Sequence, residues 1–194
     1  MSEVDQQKIQ NELEELQKES ETLRKKRLDL LKKLGEKEID NDYDFIMNDG
    51  TKKSLPEMFG DQKYLFVIHN MGKRCNYCTM WADGFNDTFD YIQEKGAFVL
   101  VSPDDHETQK EFASSRGWEF VTATPDNNNF IMDMGYSNEK DGKTNYQPGV
   151  SVFEKTSDGK VRRISIDWFG PTDYYCNVWH FYDLLPEENI NVYS

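Results

Sequence analysis

Apolar residues recur along the first 34 positions in a four-three rhythm, at Ile9, Leu13, Leu16, Leu23, Leu30 and Leu34. This spacing predicts one long helix over residues 5–34, stopped by Gly35, with Ser20 and Arg27 interrupting its apolar seam. Acidic residues crowd positions 12–21 and basic ones positions 24–33, an order that suits the helix dipole. Such a helix either packs back on its own domain or pairs with a second copy, and the pattern leaves both open. Antiparallel pairing sets each acidic half against a basic half.

Beyond the helix the period changes. Residues 43–47 and 51–53 flank Asn48-Asp49-Gly50, and Asp-Gly favours a tight turn with positive φ, so a hairpin is expected. Ser54-Leu55-Pro56-Glu57 reads as a capped short helix. Residues 64–68 form an aromatic and β-branched run typical of a buried strand. Cys78, Trp81, Phe85, Phe89 and Ile92 then recur at steps of three and four, which predicts a helix over 75–95. A strand at 97–101, a helix at 105–116 closed by Gly117 and a short extended segment at 119–122 follow. Residues 123–147, rich in Asn, Asp, Gly and Lys, read as an irregular insertion around Phe130-Ile131-Met132. A hairpin joins 149–153 to 161–166 across Ser157-Asp158-Gly159, and a last helix over 173–185 ends at Pro186. The order β-α-β-α-β-β-α implies a mixed sheet covered by helices on both faces. The expected organisation is therefore a helical arm over residues 1–36 and an α/β domain over 37–194.

Composition narrows the setting. Three cysteines cannot all pair within one chain, which argues against a disulfide-stapled secreted fold. Residues 1–7 lack a basic region followed by an apolar stretch, and no run reaches the length of a membrane span. A soluble, cytoplasmic protein without a membrane partner is the expectation. The net charge is −13, and residues 37–194 carry 15 basic against 27 acidic side chains. An acidic body repels phosphate backbones, which argues against nucleic-acid binding.

The candidate chemistry lies in Cys75-Asn76-Tyr77-Cys78, placed where the strand at 64–68 gives way to a helix. Unpaired N–H groups and the dipole at a helix start favour a thiolate, the nucleophilic form of cysteine. Lys73 and Arg74 precede it and add positive charge. Cys75 is thus the candidate nucleophile and Cys78, one turn on, the resolving thiol. His69 lies six residues before Cys75 and is either a base titrating near neutral pH or a core histidine. Cys176 and His180, four apart, either complete a Cys₃His zinc site with Cys75 and Cys78, supply a third redox thiol, or pack beside Trp179. Glycine-rich phosphate loops and flavin patterns are lacking, so no cofactor is expected.

These elements and the C-x-x-C together resemble the thioredoxin fold. More closely, residues 54–59, the Cys75–Cys78 motif with Trp81 to Phe85, Arg116-Gly117-Trp118, residues 149–153 and the ending 169–180 resemble the DUF899 family of thioredoxin-like proteins of uncharacterised function. The resemblance implies a thioredoxin-like mixed sheet and a thiol–disulfide oxidoreductase acting on a disulfide-containing protein or small thiol, with electrons from an external reductant. It implies a cis Pro148 facing the cysteines, and a substrate surface formed by Arg74, Tyr77, Pro148 and Trp81, the last being either a core residue or the roof of the site one turn beyond the motif. It replaces the buried carboxylate of thioredoxins with His69, their Gly-Pro dipeptide with Asn76-Tyr77 and their preceding tryptophan with Arg74. A peroxiredoxin pattern would need proline and threonine or serine where Ile68 and Gly72 stand, so a peroxidase of that type is disfavoured. The competing reading is a non-catalytic binding or dimerising module whose cysteines are structural or hold zinc.

Overall fold

The computed structural model describes residues 2–39 and 42–186. The first helix, α1, runs Glu3–Gly35 and is capped by Ser2, whose hydroxyl accepts the Asp5 N–H while the Asp5 carboxylate accepts the Ser2 N–H. Most of α1 stands away from the body, and its buried residues are Leu31 and Gly35 in the last turns. There α1 approaches so closely that a Cβ on Gly35 would lie 2.5 Å from the backbone of Ser165. Two side-chain arrangements fix this contact. Arg163 donates to the carbonyls of Gly35 (2.8 Å) and Met134 (2.7 Å), satisfying a helix end that has no partner of its own. Arg27 forms a two-pronged pair with Asp167 at 2.8 and 2.5 Å, so the residue that interrupts the apolar seam docks the arm.

Among the described residues ten strands follow: β1 (Lys37–Glu38), β2 (Asp44–Met47), β3 (Lys52–Ser54), β4 (Tyr64–His69), β5 (Ala97–Val101), β6 (Val121–Pro125), β7 (Ser137–Lys140), β8 (Lys143–Tyr146), β9 (Gly149–Lys155) and β10 (Val161–Trp168). Eight form one sheet in the order β1-β10-β9-β4-β5-β6-β2-β3, and β7 and β8 pair separately. β4, β5 and β6 run parallel and the remaining pairs antiparallel, giving the mixed sheet expected. The connecting helices are α2 (Asn76–Asp87), α3 (Phe89–Gln93), α4 (His106–Arg116), α5 (Phe130–Asp133) and α6 (Val178–Tyr182).

Strand alternation divides the core. Leu65 and Val67 face a cluster built with Phe45, Phe59, Phe130, Tyr136 and Phe153. Ile68 faces the opposite cluster, with Cys78, Trp81, Phe85, Leu100, Phe169, Cys176 and Trp179. The α2 face predicted from periodicity is the one buried there. Asp83, on the same helix, accepts from Arg116 and from the Trp118 indole (2.8 Å), tying α2 to the turn after α4.

Three elements differ from their sequence pattern. The helix expected over 75–95 is broken at Thr88, whose hydroxyl bonds back to the carbonyls of Gly84 (3.1 Å) and Phe85 (3.3 Å). The last helix shrinks to α6 because the Asp173 carboxylate accepts the N–H groups of Gly170, Tyr175 and Cys176, holding that stretch in a turn. The insertion at 123–147 contains β7 and β8, joined through Asp141 and Gly142, both at positive φ. No helix among the described residues is long and apolar enough to cross a membrane.

Gly35→Ala is expected to destabilise the protein by about 1–3 kcal/mol in urea unfolding, because the new methyl meets backbone that has nowhere to go. Gly84→Ala, where a Cβ meets nothing within 4 Å, should instead stabilise by about 0.5–1 kcal/mol. Equal effects at the two positions would contradict the close approach of α1 to β10.

Candidate redox site

The loop from β4 to α2 is tied to its neighbour before it reaches the cysteines. The Asn70 N–H extends the parallel ladder to the Val101 carbonyl (2.9 Å), and its side-chain oxygen accepts the Gly72 N–H (2.7 Å). The Lys73 N–H goes to the Asp104 carboxylate (2.7 Å), and Asp104 is itself braced by the Ser102 hydroxyl. Gly72 has φ +100, and a Cβ there would lie 2.8 Å from Asp104 Oδ1, so only glycine fits. The Cys75 N–H then returns to the Gly72 carbonyl at 3.0 Å.

Cys75 caps α2. Its sulfur accepts the Cys78 N–H at 3.1 Å, and its carbonyl starts the helix ladder to Thr79. Cys75 is half-buried, Cys78 buried, and both are free thiols. The Cys78 thiol donates to Cys75 and, with the N–H groups of Cys78 and Tyr77, lowers the Cys75 pKa to about 7 against the opposing effect of burial. The Cys78 pKa is pushed far above the ordinary thiol range by that same bond, then by burial, then by the charge on Cys75. One thiol is thus ready to ionise and the other keeps its proton.

The remaining predicted residues separate into those at this site and those away from it. Lys73 and Arg74 are exposed beside it, yet neither contributes to lowering Cys75, and the Lys73 charge acts on Asp105 instead. Tyr77 is half-buried between Trp81 (6.2 Å) and Trp179 (5.9 Å). Trp81 is 3% exposed and packs on Phe169, so it belongs to the core and offers no substrate surface. The Gln147–Pro148 bond is trans, not cis as expected. Residues 146–149 lead from β8 straight into β9, with the Gln147 N–H on the Tyr136 carbonyl and the Pro148 carbonyl accepting from Phe169. Pro148 still lies at the end of the sheet from which the Cys75 loop emerges, since Gly149 pairs with His69.

His69 does not join the cysteines. Odd-numbered residues of β4 face away from α2, and the imidazole is fully buried among Tyr136, stacked at 3.7 Å, Phe130 and the Ser151 hydroxyl, 3.0 Å from Nε2. It is a core histidine. Cys176 is buried in the cluster with Cys78 and Trp179, and His180 is exposed. Among the described residues no group of three or more His, Cys, Asp or Glu side chains is placed to hold a metal, so the Cys₃His arrangement is not formed. The pinning residues Asn70 and Asp104 were missed in the sequence. The Asn-x-Gly spacing at 70–72 was the available sign of a turn.

Comparison with known proteins gives the chain a family and a fold. The family model for a bacterial protein of unknown function (DUF899) matches residues 2–189. No curated protein matches the chain. Among solved structures, a PrxQ variant from Xylella fastidiosa is 11% identical, covering 77% of this chain and 94% of its own, with a TM-score of 0.60. Peroxidoxin BcpB from Mycobacterium tuberculosis is 18% identical over 69% of this chain and 84% of its own, with a TM-score of 0.55. Reduced Prx3 from Vibrio vulnificus, solved with hydrogen peroxide, is 14% identical over 72% and 90%, with a TM-score of 0.57. The shared fold is thioredoxin-like.

Burial, reinforced by the Arg163 guanidinium, holds the His69 pKa well below its ordinary value of 6.5. The unfolded chain takes up a proton below that pH that the folded chain refuses, so His69 subtracts stability as pH falls through 6.5. Between pH 7.5 and 5.5 the protein should lose about 1.4 kcal/mol more than His69→Gln, measured by urea unfolding at each pH. Parallel losses would show that the imidazole reaches solvent.

Proposed function

The chain belongs to the DUF899 family, and we propose that its Cys75–Cys78 pair makes it a thiol–disulfide oxidoreductase. The observation that carries this reading is the opposed state of the two thiols: Cys75 at the start of α2 with its pKa at about 7, and Cys78 behind it, buried and holding its proton. The Cys75 thiolate attacks one sulfur of a substrate disulfide, a mixed disulfide forms and the other substrate sulfur leaves as a thiolate. Cys78 gives up its proton, which the departing thiolate takes, and attacks Cys75. The Cys75–Cys78 disulfide closes and the second substrate thiol is released. Two electrons pass from the protein to the substrate, and an external dithiol returns them.

His69 has no part in this scheme, and Arg74, Tyr77 and Pro148 are the nearby groups for positioning a substrate. The fold is shared with proteins named as peroxidoxin and PrxQ, yet a hydroxyl three residues before the nucleophile is ruled out here by the left-handed backbone of Gly72 and its contact with Asp104. This supports a disulfide rather than a peroxide as substrate.

Iodoacetamide should alkylate Cys75 with a midpoint near pH 7, read by mass spectrometry of the Cys75 peptide. Cys78→Ala removes the largest stabilising bond and should move that midpoint towards the ordinary thiol value of about 8.5. A midpoint that starts at the ordinary value would end the proposal. In a disulfide-exchange assay Cys75→Ser should abolish reduction of a model disulfide, and Cys78→Ser should accumulate the mixed disulfide on Cys75. Full turnover by either variant, or consumption of hydroperoxide with no disulfide exchange, would reassign the chemistry.

A further inference from the structure

The arm carries an apolar seam that the described residues leave largely exposed. Ile9, Leu13, Leu16, Leu23, Leu30 and Leu34, the six residues of the predicted seam, are between 46 and 66% exposed. Burial of α1 is confined to its last turns, at Leu31 and Gly35 on the flank beside the seam, and the seam residue Arg27 reaches the body at Asp167. A solitary helix depends on packing of an apolar face for most of its stability, and among the described residues this one has no buried side chain over its first two-thirds. The middle of the seam also opens on a groove of about 510 Å³, walled by Leu16, Ser20, Leu23 and Arg27 on the arm and by Tyr174 on the body. Arg27 holds Tyr174 in place, with its guanidinium 5.7 Å from the ring centroid and its charge on Asp167.

We infer that this face binds the arm of a second copy, antiparallel, in an isologous dimer whose two-fold axis crosses α1 near residue 22. Charge selects the occupant and the direction. Residues 12–21 carry five glutamates and one lysine, and residues 24–33 carry six basic side chains and one aspartate. A parallel pair would set like charges together along both halves. An antiparallel pair sets each acidic half against the partner's basic half, and a two-fold axis produces that arrangement from one sequence. About residue 22, Leu13 and Leu16 of one arm lie level with Leu30 and residues near 28 of the other. The partner's acidic half thereby passes along the stretch of α1 that is docked on the body, beside Tyr174. The catalytic reading is independent of this proposal.

Light scattering of the full chain at high micromolar concentration should give twice the chain mass. Leu16→Glu with Leu23→Glu should give a monomer whose body unfolds at the unchanged temperature, since both residues are exposed in the single chain. Raising the salt should weaken the dimer severalfold, as charge-directed pairing requires. Spin labels introduced at Gln6 through a non-natural amino acid should lie about 48 Å apart, from sixteen residues on each side of the axis at 1.5 Å each. A separation of about 10 Å would mean parallel arms and overturn the orientation. A monomer at every concentration, or a dimer that survives the double variant, would overturn the interface.

Discussion

The structure turns on the buried carboxylate of Asp167. It accepts two bonds from Arg27 of the arm, one from the Tyr175 hydroxyl at 2.9 Å and one from the N–H of Trp168. One charge therefore joins α1, 140 residues upstream, to the end of β10 and the segment leading to α6. A carboxylate 3% exposed would be costly if unpaired, and here it is both paired and hydrogen-bonded. Its main-chain carbonyl continues the network by accepting from Tyr136, whose hydroxyl also bonds the Val150 carbonyl at 2.6 Å. Tyr136 in turn covers Gly149, where a Cβ would lie 2.4 Å from its ring, and stacks on His69. The start of β9, and with it Pro148, is set by this chain of contacts.

The two faces of the sheet consequently have different characters. One holds a polar network under aromatic rings, with His69, Ser151, Tyr136 and Arg163 locked among Phe130 and Phe153. Burial drives the Tyr136 pKa up to about 12, depresses the Arg163 pKa and keeps His69 neutral, so these groups are structural at ordinary pH. The other face holds the thiols in an aromatic cluster. Strand parity alone decides which residues join which side. It is why an ionisable group six positions before Cys75 ends in the wrong compartment to exchange a proton with Cys78.

Much of this was legible in the chain, and the failures have physical causes. Period-2 and period-3.6 patterns located β4, β5, β9, β10, α1, α2 and α4, because one face of each is apolar and buried or visibly amphipathic. The C-x-x-C at a strand-to-helix junction pointed to Cys75 as a helix cap, which requires only local geometry. The final helix was overcalled because Trp179 and its neighbours suit a helix, whereas the Asp173 carboxylate satisfies three N–H groups in a turn instead. The Asp141-Gly142 turn carried the same signal as Asp49-Gly50 and was passed over because β7 and β8 are polar on both sides. His69, Trp81 and Pro148 were assigned by analogy of position, and position does not report the face of a strand or the state of a peptide bond. Arg27 was read as a flaw in a seam because its partner lies 140 residues away.

The thiol pair draws its asymmetry from itself. Adjacent cations contribute nothing to Cys75, and burial opposes its ionisation, so the low pKa rests on donors within one helical turn. The Cys78 side chain lowers Cys75 the most, and the Cys78 N–H reaches the same sulfur at 3.1 Å. While Cys75 is a thiolate, its charge and the shared bond keep Cys78 protonated and unreactive. Once Cys75 forms a bond to another sulfur, it loses its charge and most of its power to accept. Two of the three effects that raise Cys78 then vanish, leaving burial alone. In the scheme proposed above, this release lowers the Cys78 pKa at the step where Cys78 attacks the mixed disulfide. A pair activated by a nearby lysine or arginine would lack this ordering, since a fixed cation favours both thiolates at every stage. In a body with an excess of acidic side chains, activation from within the motif is also the arrangement least disturbed by the surrounding field.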